Sequence, residues 1–151
     1  MKFDLAGSNA YSQSFEELSR VSSNEGKDEV VYYKAKGYLI VYRVSRGINN
    51  DTENQTEIPL SALPWIIQSI TSDFWNENIP KTQHTTQSSF DNENIVLCRS
   101  MNAGAFAEKG FKIYNKSRTS HIMSSRPQAF QITDNQVKSI LIPINDSLLK
   151  V

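Results

Sequence analysis

The stretch KGYLIVYRVSR at residues 36–46 indicates a repeated fold, because a stretch of the same type, KGFKIYNKSR, occupies residues 109–118. The offset between the two is 73 residues. Two flanking pairs continue the match: EIPLSALPWIIQSI (57–70) with AFQITDNQVKSILI (129–142), and QSF (13–15) with SSF (88–90). Self-similarity over most of a 151-residue chain predicts two diverged copies of one structural unit.

The first copy has the pattern of antiparallel strands followed by a helix. DEVVYYK (28–34) and GYLIVYRV (37–44) are rich in Val, Ile and Tyr, which favour strands, and the AKG between them suits a hairpin. A polar, acidic loop (47–56) leads to a short strand, TEIPL. Ser61 is then predicted to cap a helix that presents Trp65 and three isoleucines on one side.

The second copy repeats this order. Strands are predicted at IVLCRSM (95–101), FKIYNKS (111–117) and QAFQI (128–132), and Thr133 is predicted to cap a short helix. The fold class is therefore α+β, with two antiparallel sheet-plus-helix repeats forming one compact body. The helices are expected at about 61–71 and 133–142.

The predicted organisation has five parts. They are an N-terminal segment (1–12), repeat 1 (13–71), a polar linker (72–87), repeat 2 (88–145) and a C-terminal tail (146–151). Trp65, Ile66 and Ile70 are expected to be buried against Tyr38 or Ile40, because a helix this short needs packing to be stable. An exposed Trp65 would instead indicate a homodimer formed through the helix.

Alternation along the repeated strand predicts a binding surface. Phe111 and Ile113 point one way, and Lys112, Tyr114 and Lys116 point the other. A ring between two cations is suited to single-stranded nucleic acid, because cations follow phosphates while the ring stacks on a base. The alternative is that lysines on an edge strand only prevent aggregation. The corresponding row of the first copy, Leu39, Val41 and Arg43, is mostly apolar and is expected to pack against a partner or the other repeat.

The order of these elements resembles the repeat of the Pur-alpha family and the single-stranded-DNA-binding domain of the transcriptional coactivator positive cofactor four, both in the Whirly-like group. The resemblance covers about 28–70 and, more weakly, 95–142. It implies a curved antiparallel sheet, crossed by a helix, that binds single-stranded DNA or RNA. Carried over residue by residue, it places the following residues on or near that sheet: Lys34, Lys36, Tyr38, Arg43, Lys109, Phe111, Lys112, Tyr114 and Lys116. Arg46 and Arg118 complete the predicted nucleic-acid-binding set.

The charges are sorted along the chain although the formal net charge is zero. Residues 31–46 carry four basic residues and no acid, and residues 99–126 carry six basic residues against Glu108. Residues 47–80 carry five acids and no base, a block that would repel phosphates. An acidic protein surface is therefore the alternative partner for the basic segments, and a protein-binding or inhibitory module is the alternative function.

The cysteine count and the apolar stretches indicate the compartment of the protein. Cys98 is the single cysteine, so an intramolecular disulfide is excluded, and the first residues lack the apolar core of a secretory signal. A cytoplasmic location is expected. The longest apolar stretch, 58–70, is too short to cross a bilayer, so no membrane partner is expected.

Enzyme functions have weaker support. LIVYRVSRG resembles the arginine-bearing first strand of ADP-ribosyltransferases, but the last glutamate, Glu108, does not stand in the expected strand. His84 with Thr86 has the spacing of a two-histidine phosphoesterase, yet the other histidine, His121, lacks the matching hydroxyl. Two distant histidines and one cysteine predict no metal site, and no cofactor is expected.

Overall fold

The computed structural model describes residues 3–11, 13–76, 85–104 and 107–149, which form two four-stranded antiparallel sheets, each followed by a helical segment. After a short helical turn, α1 (Ala6–Asn9), the first sheet has the order β1 (Glu16–Ser23), β2 (Asp28–Ala35), β3 (Tyr38–Arg46) and β4 (Asp51–Pro59). The second sheet has the order β5 (Thr85–Phe90), β6 (Glu93–Ser100), β7 (Gly110–Thr119) and β8 (Pro127–Thr133). The predicted α+β class is confirmed, and both halves have the same order of elements.

The hairpin between β2 and β3 forms where AKG predicts it. Its two turn residues, Lys36 and Gly37, have φ values of 50° and 83°. In a two-residue hairpin, positive φ at both central residues gives the turn a twist that matches the twist of the flanking strands.

The two helical segments begin differently. The first (60–74) consists of a 3₁₀ turn (Leu60–Ala62), α2 (Leu63–Gln68) and a π-helical turn (Ser69–Phe74), and no side chain caps it. The prediction that Ser61 caps this helix is therefore wrong, because Ser61 lies inside the opening turn.

The second helical segment (134–149) consists of α3 (Asp134–Gln136), a π-helical turn (Val137–Leu141) and α4 (Ile142–Leu149), and it extends beyond the predicted end at 142. Its cap is the predicted one. Thr133 Oγ1 accepts from the backbone N–H of Gln136, and the Gln136 side chain accepts from the N–H of Thr133, forming a reciprocal capping box.

One core joins the two halves. Leu39 and Val41 of β3 and Phe111 and Ile113 of β7 belong to it, and all are almost fully buried. The helical segments contribute these buried residues: Leu63, Ile66, Ile70, Phe74, Val137, Ile140, Leu141 and Ile144.

The predicted packing of the first helix is partly wrong. Ile66 and Ile70 are buried as expected, but they lie in the core of Leu39 and Val41, whereas Ile40 faces the opposite side of the sheet. Trp65 is only half-buried, and its ring lies 5.4 Å from that of Phe90, centroid to centroid.

The N-terminal segment covers the outer face of the first sheet. Phe3, Leu5 and Phe15 pack against a second apolar cluster, which contains Tyr33, Ile40, Tyr42 and Val44. Within the described residues, the corresponding face of the second sheet carries no such cluster. The first sheet is therefore covered on both faces, by the shared core and by these N-terminal side chains.

The strand register corrects the alignment of the repeats. Tyr38 pairs with Pro59 immediately before the first helical segment, and Gly110 pairs with Thr133 immediately before the second. The structural offset in this strand is therefore 72 residues, so Leu39 corresponds to Phe111. A slip of one residue exchanges the faces of a strand, which is why the shared Lys-Gly dipeptides mislead.

Candidate nucleic-acid interface

A cleft of about 520 Å³ lies where the first sheet meets β7, β8 and the loop between them. We call it the basic cleft. Its lining residues are Val30, Val41, Arg43, Asn54, Lys112, Tyr114, Ser120, Ile122, Met123, Arg126, Pro127, Ala129, Phe130 and Gln131. Both halves of the chain are needed to form it, and three predicted site residues, Arg43, Lys112 and Tyr114, line it together.

The cleft is cationic. Arg43, Lys112 and Arg126 line it, and no carboxylate occurs among its described lining residues. None of the three makes an ion pair with any residue that the structure describes. Their charges therefore remain available to an anionic ligand.

An aromatic and apolar surface accompanies the cations. The Lys112 ammonium lies 5.2 Å from the ring centroid of Tyr114, and that ring is half-buried. Ile122 and Met123 are 54% and 48% exposed at the rim, where they place two consecutive apolar side chains beside the cations. The cleft can thus stack or cover a flat ligand while its cations bind an attached anion.

A hydrogen bond across the two sheets holds the cleft walls together. Asn54 Nδ2 of β4 donates to the carbonyl oxygen of Ala129 in β8 at 2.9 Å. Strand alternation turns Asn54 toward the cleft, whereas its neighbour Glu53 accepts a hydrogen bond from the Tyr42 hydroxyl on the other face of the sheet. Strand alternation therefore turns the side chains of Glu53 and Glu57, two acids of the 47–80 segment, away from the basic cleft.

A bulge in β7 interrupts the predicted basic row. Asn115 pairs with Gln128 and Thr119 with Pro127, so the register shifts between these two pairs and leaves residues 116–118 without a regular β8 partner. Lys116 remains exposed, but Arg118 turns inward and is only 6% exposed. Regular alternation would have placed both on the face of Tyr114.

Arg118 therefore has a structural position rather than the predicted contact position. Its Nε donates to Glu93 Oε1 at 2.5 Å, and its Nη1 donates to Glu57 Oε1 at 3.1 Å. Gln128 Nε2 also donates to Glu57, at 3.1 Å, and Asn115 Nδ2 donates to Glu93, at 3.0 Å. We call these five side chains the interface network, because they connect β4 with the second sheet.

The N-terminal segment is tied to the same network. Phe3 donates its N–H to Glu57 Oε1 at 3.2 Å, and its carbonyl oxygen lies 2.6 Å from His121 Nε2. His121 Nε2 also lies 3.6 Å from Glu57 Oε2. Anchoring of the segment therefore depends on residues of both halves.

Electrostatics favour an ionised Glu93. Burial alone would raise the pKa of Glu93, but hydrogen bonds from Arg118, Tyr38 and Asn115 outweigh burial and hold it below its ordinary value. A buried carboxylate that accepts several hydrogen bonds from a guanidinium and amide is stabilised in its charged form.

The remaining predicted site residues do not line the basic cleft. Phe111 is fully buried, so it cannot touch a ligand, and the Tyr38 hydroxyl donates to Glu93. Arg46 lies 3.9 Å from Glu29 in a weak ion pair. The last three are lysines outside the cleft lining, half-buried at position 34 and exposed at 36 and 109: Lys34, Lys36 and Lys109.

Two important cleft residues were not predicted. Arg126 belongs to the basic segment 99–126, so the charge pattern contains a signal for it, but the loop gives no strand alternation from which to place it. Asn54 has no such signal, because its role depends on contact with a strand 75 residues away.

The described residues bear on one enzyme alternative, the ADP-ribosyltransferase-like one. Glu108 does not line the cleft that contains Arg43. The phosphoesterase alternative depends on His84, which lies outside the described residues. No group of three or more potential metal ligands is found in the part of the chain that the structure describes.

No protein-family model matches the chain, and a search of curated proteins finds no match. Among the described residues, no helix is long and apolar enough to cross a membrane.

Proposed function

We propose that the protein binds single-stranded nucleic acid in the basic cleft. The observation that carries the proposal is the grouping of three cations without carboxylate partners, Arg43, Lys112 and Arg126, around the ring of Tyr114. The resemblance to Pur-alpha-type repeats implies the same function, and the residues carried over from it include Arg43, Lys112 and Tyr114 but not Arg126. The cleft residues, rather than the whole predicted strand row, form the interface of this proposal.

The chemistry of the cleft favours a single strand over a duplex. Stacking on Tyr114 requires an unpaired base, and such stacking contributes about 1–3 kcal/mol per base. Neutralising phosphates with lysine and arginine releases counterions and makes affinity depend on salt. A cleft of about 520 Å³ has the size of a small-molecule site, so it would hold a base with its attached phosphate, and Ile122 and Met123 would cover that base.

The exposed rim favours a second candidate, a protein-binding or inhibitory module. Ile122 and Met123 form an apolar pair beside Arg126, and a pairing of apolar contact with neighbouring positive charge suits an acidic protein surface. The same variants test both candidates.

The test is a titration of labelled DNA and RNA oligomers at low and high salt. We expect binding that weakens with salt, and weaker binding by Lys112→Gln and Arg126→Gln than by the parent. Lys34→Gln is the matched control, because Lys34 lies outside the cleft and should bind like the parent. Absence of oligomer binding at low salt would contradict the proposal, and pull-down with the same variants would then test the protein partner.

A further inference from the structure

A second pocket, of about 340 Å³, adjoins the basic cleft. Arg126 and Pro127 line both, so one arginine stands between the two. The other residues of this loop pocket come from the β7 bulge and the β7–β8 loop: Lys116, Arg118, Thr119, Ser124 and Ser125.

The composition of the loop pocket favours an oxyanion. Lys116 and Arg126 form no ion pair with any described residue, and no carboxylate is among the described residues that line the pocket. The guanidinium of Arg118 is already bound to Glu57 and Glu93, so the pocket keeps two available cations. Hydroxyls of Ser124 and Ser125 add donors that suit phosphate oxygens.

The loop that carries these groups is held by backbone hydrogen bonds. Ser120 N donates to Arg126 O at 2.8 Å, and Arg126 N donates to Met123 O at 2.9 Å. The β7 bulge places Lys116 opposite this loop instead of in a regular strand pair. A fixed loop opposite a bulged strand positions the donors before a ligand arrives, which lowers the entropy cost of binding.

We infer that the loop pocket is a phosphate subsite. This subsite rests on the proposed function. The loop pocket binds a phosphate of the same strand whose base lies in the basic cleft, and Arg126 stands between the pocket and the cleft. The ligand class is a phosphate ester anion. Its source is either an internal phosphodiester or a terminal phosphate, and the second experiment distinguishes these two.

The first experiment tests the pocket without any oligomer. Inorganic pyrophosphate is titrated into the full chain, and amide chemical shifts are followed by NMR. In the parent, we expect saturable shifts at Ser124, Ser125 and Arg126. The affinity for pyrophosphate obtained from these shifts should be at least tenfold weaker in Lys116→Gln. Lys109→Gln changes an exposed lysine outside the pocket and should respond like the parent. Shifts that occur equally at all basic surfaces, or that are unchanged in Lys116→Gln, would overturn the inference.

The second experiment separates the two sources of phosphate. Short oligomers with a 5′ phosphate, a 3′ phosphate or neither are compared on the parent and on Lys116→Gln. An internal phosphodiester predicts equal binding of all three oligomers and a salt slope lower by about 0.7 in the variant, the value for one contact on a single strand. A terminal phosphate predicts that one phosphorylated oligomer binds more tightly and that Lys116→Gln removes this advantage.

The two proposals can fail separately. Pyrophosphate binding in the loop pocket without oligomer binding would contradict the proposed function and retain the phosphate site. Oligomer binding that is indifferent to Lys116→Gln, in affinity and in salt slope, would retain the function and refute the subsite.

Discussion

The guanidinium of Arg118 lies 4.3 Å from the centroid of the Tyr38 ring, so that a cation from the second sheet covers an aromatic residue of the first. The Tyr38 hydroxyl donates to Glu93, which also pairs with Arg118. Two residues that the sequence places on a ligand surface thus stabilise each other inside the protein. Their contact fixes how the two sheets are joined, and the basic cleft depends on that junction.

Arg118→Ala should destabilise the protein strongly. The substitution leaves the buried carboxylates of Glu57 and Glu93 without their cation, and breaking a buried pair in this way costs about 3–5 kcal/mol. Chemical denaturation measures the loss. Lys116→Ala, two residues away but exposed, should change the free energy of unfolding by less than about 0.5 kcal/mol. Equal effects of the two variants would contradict the assignment of Arg118 to the interface network.

The pH dependence of stability should reflect Glu93. Because its pKa in the folded protein is below the ordinary value of 4.5, its contribution is fully present above about that pH and is lost as pH falls through the lower, folded pKa. We expect the free energy of unfolding of the parent to fall with acidification below about pH 4.5. Glu93→Gln should show a shallower slope in that range, and a slope equal to that of the parent would contradict an ionised, hydrogen-bonded Glu93.

The two helix starts should respond differently to loss of a hydroxyl. Thr133→Ala removes the capping box and should cost about 0.5–2 kcal/mol. Ser61→Ala removes an exposed hydroxyl that caps nothing and should cost less than about 0.5 kcal/mol. Thermal or urea unfolding of both variants would check this, and a larger loss for Ser61→Ala would refute it.

The two glycines of the Lys-Gly dipeptides should also differ. A Cβ at Gly110 would lie 2.1 Å from the backbone oxygen of Ile132, so Gly110→Ala must move the β7–β8 pair and should cost about 1–3 kcal/mol or more. Gly37 has open space around it and a φ of 83°, which Asn tolerates. Gly37→Asn should therefore remain close to the parent in a denaturation experiment, and comparable losses for both would contradict the different roles.

Binding variants should separate stacking from charge. Tyr114→Ala should weaken oligomer binding at every salt concentration, because a lost stacking contact is not screened by ions. Lys112→Gln should weaken binding mainly at low salt and lower the salt slope. Parallel titrations at several salt concentrations distinguish these outcomes. If both variants bind oligomers as the parent does, Tyr114 and Lys112 do not form the interface.

Local signals predict the central hairpin of each half, but they do not predict β1 or β5, and most of the loop expected at 47–56 belongs to β4. Val, Ile and Tyr in β2 and β3, the Lys36–Gly37 turn and the Thr133 cap are local signals, because each acts within a few residues. Ser61 also fits a local capping pattern, but the helical segment already begins with the 3₁₀ turn Leu60–Ala62, so Ser61 lies inside that turn and caps nothing.

The candidate site is predictable only where strand alternation continues. Lys112 and Tyr114 lie on one regular strand, so their common face follows from the sequence. Alternation ends at the bulge after Asn115, so the predicted face of Arg118 is wrong and its side chain is buried. Arg126 and Asn54 join the cleft through contacts between distant segments, and periodicity contains no information about such contacts.

The interface network has a consequence for synthesis on the ribosome. Every strand of the first sheet pairs with its neighbour along the chain, so this sheet can form as soon as β4 has emerged. Glu57 in β4, however, cannot form its ion pair until Arg118 has been translated, 61 residues later. Until then, its carboxylate has hydrogen bonds from Phe3 and Gln55 but lacks its cation, so we expect the nascent first half to keep that region hydrated and to complete its packing only after the second half has been made.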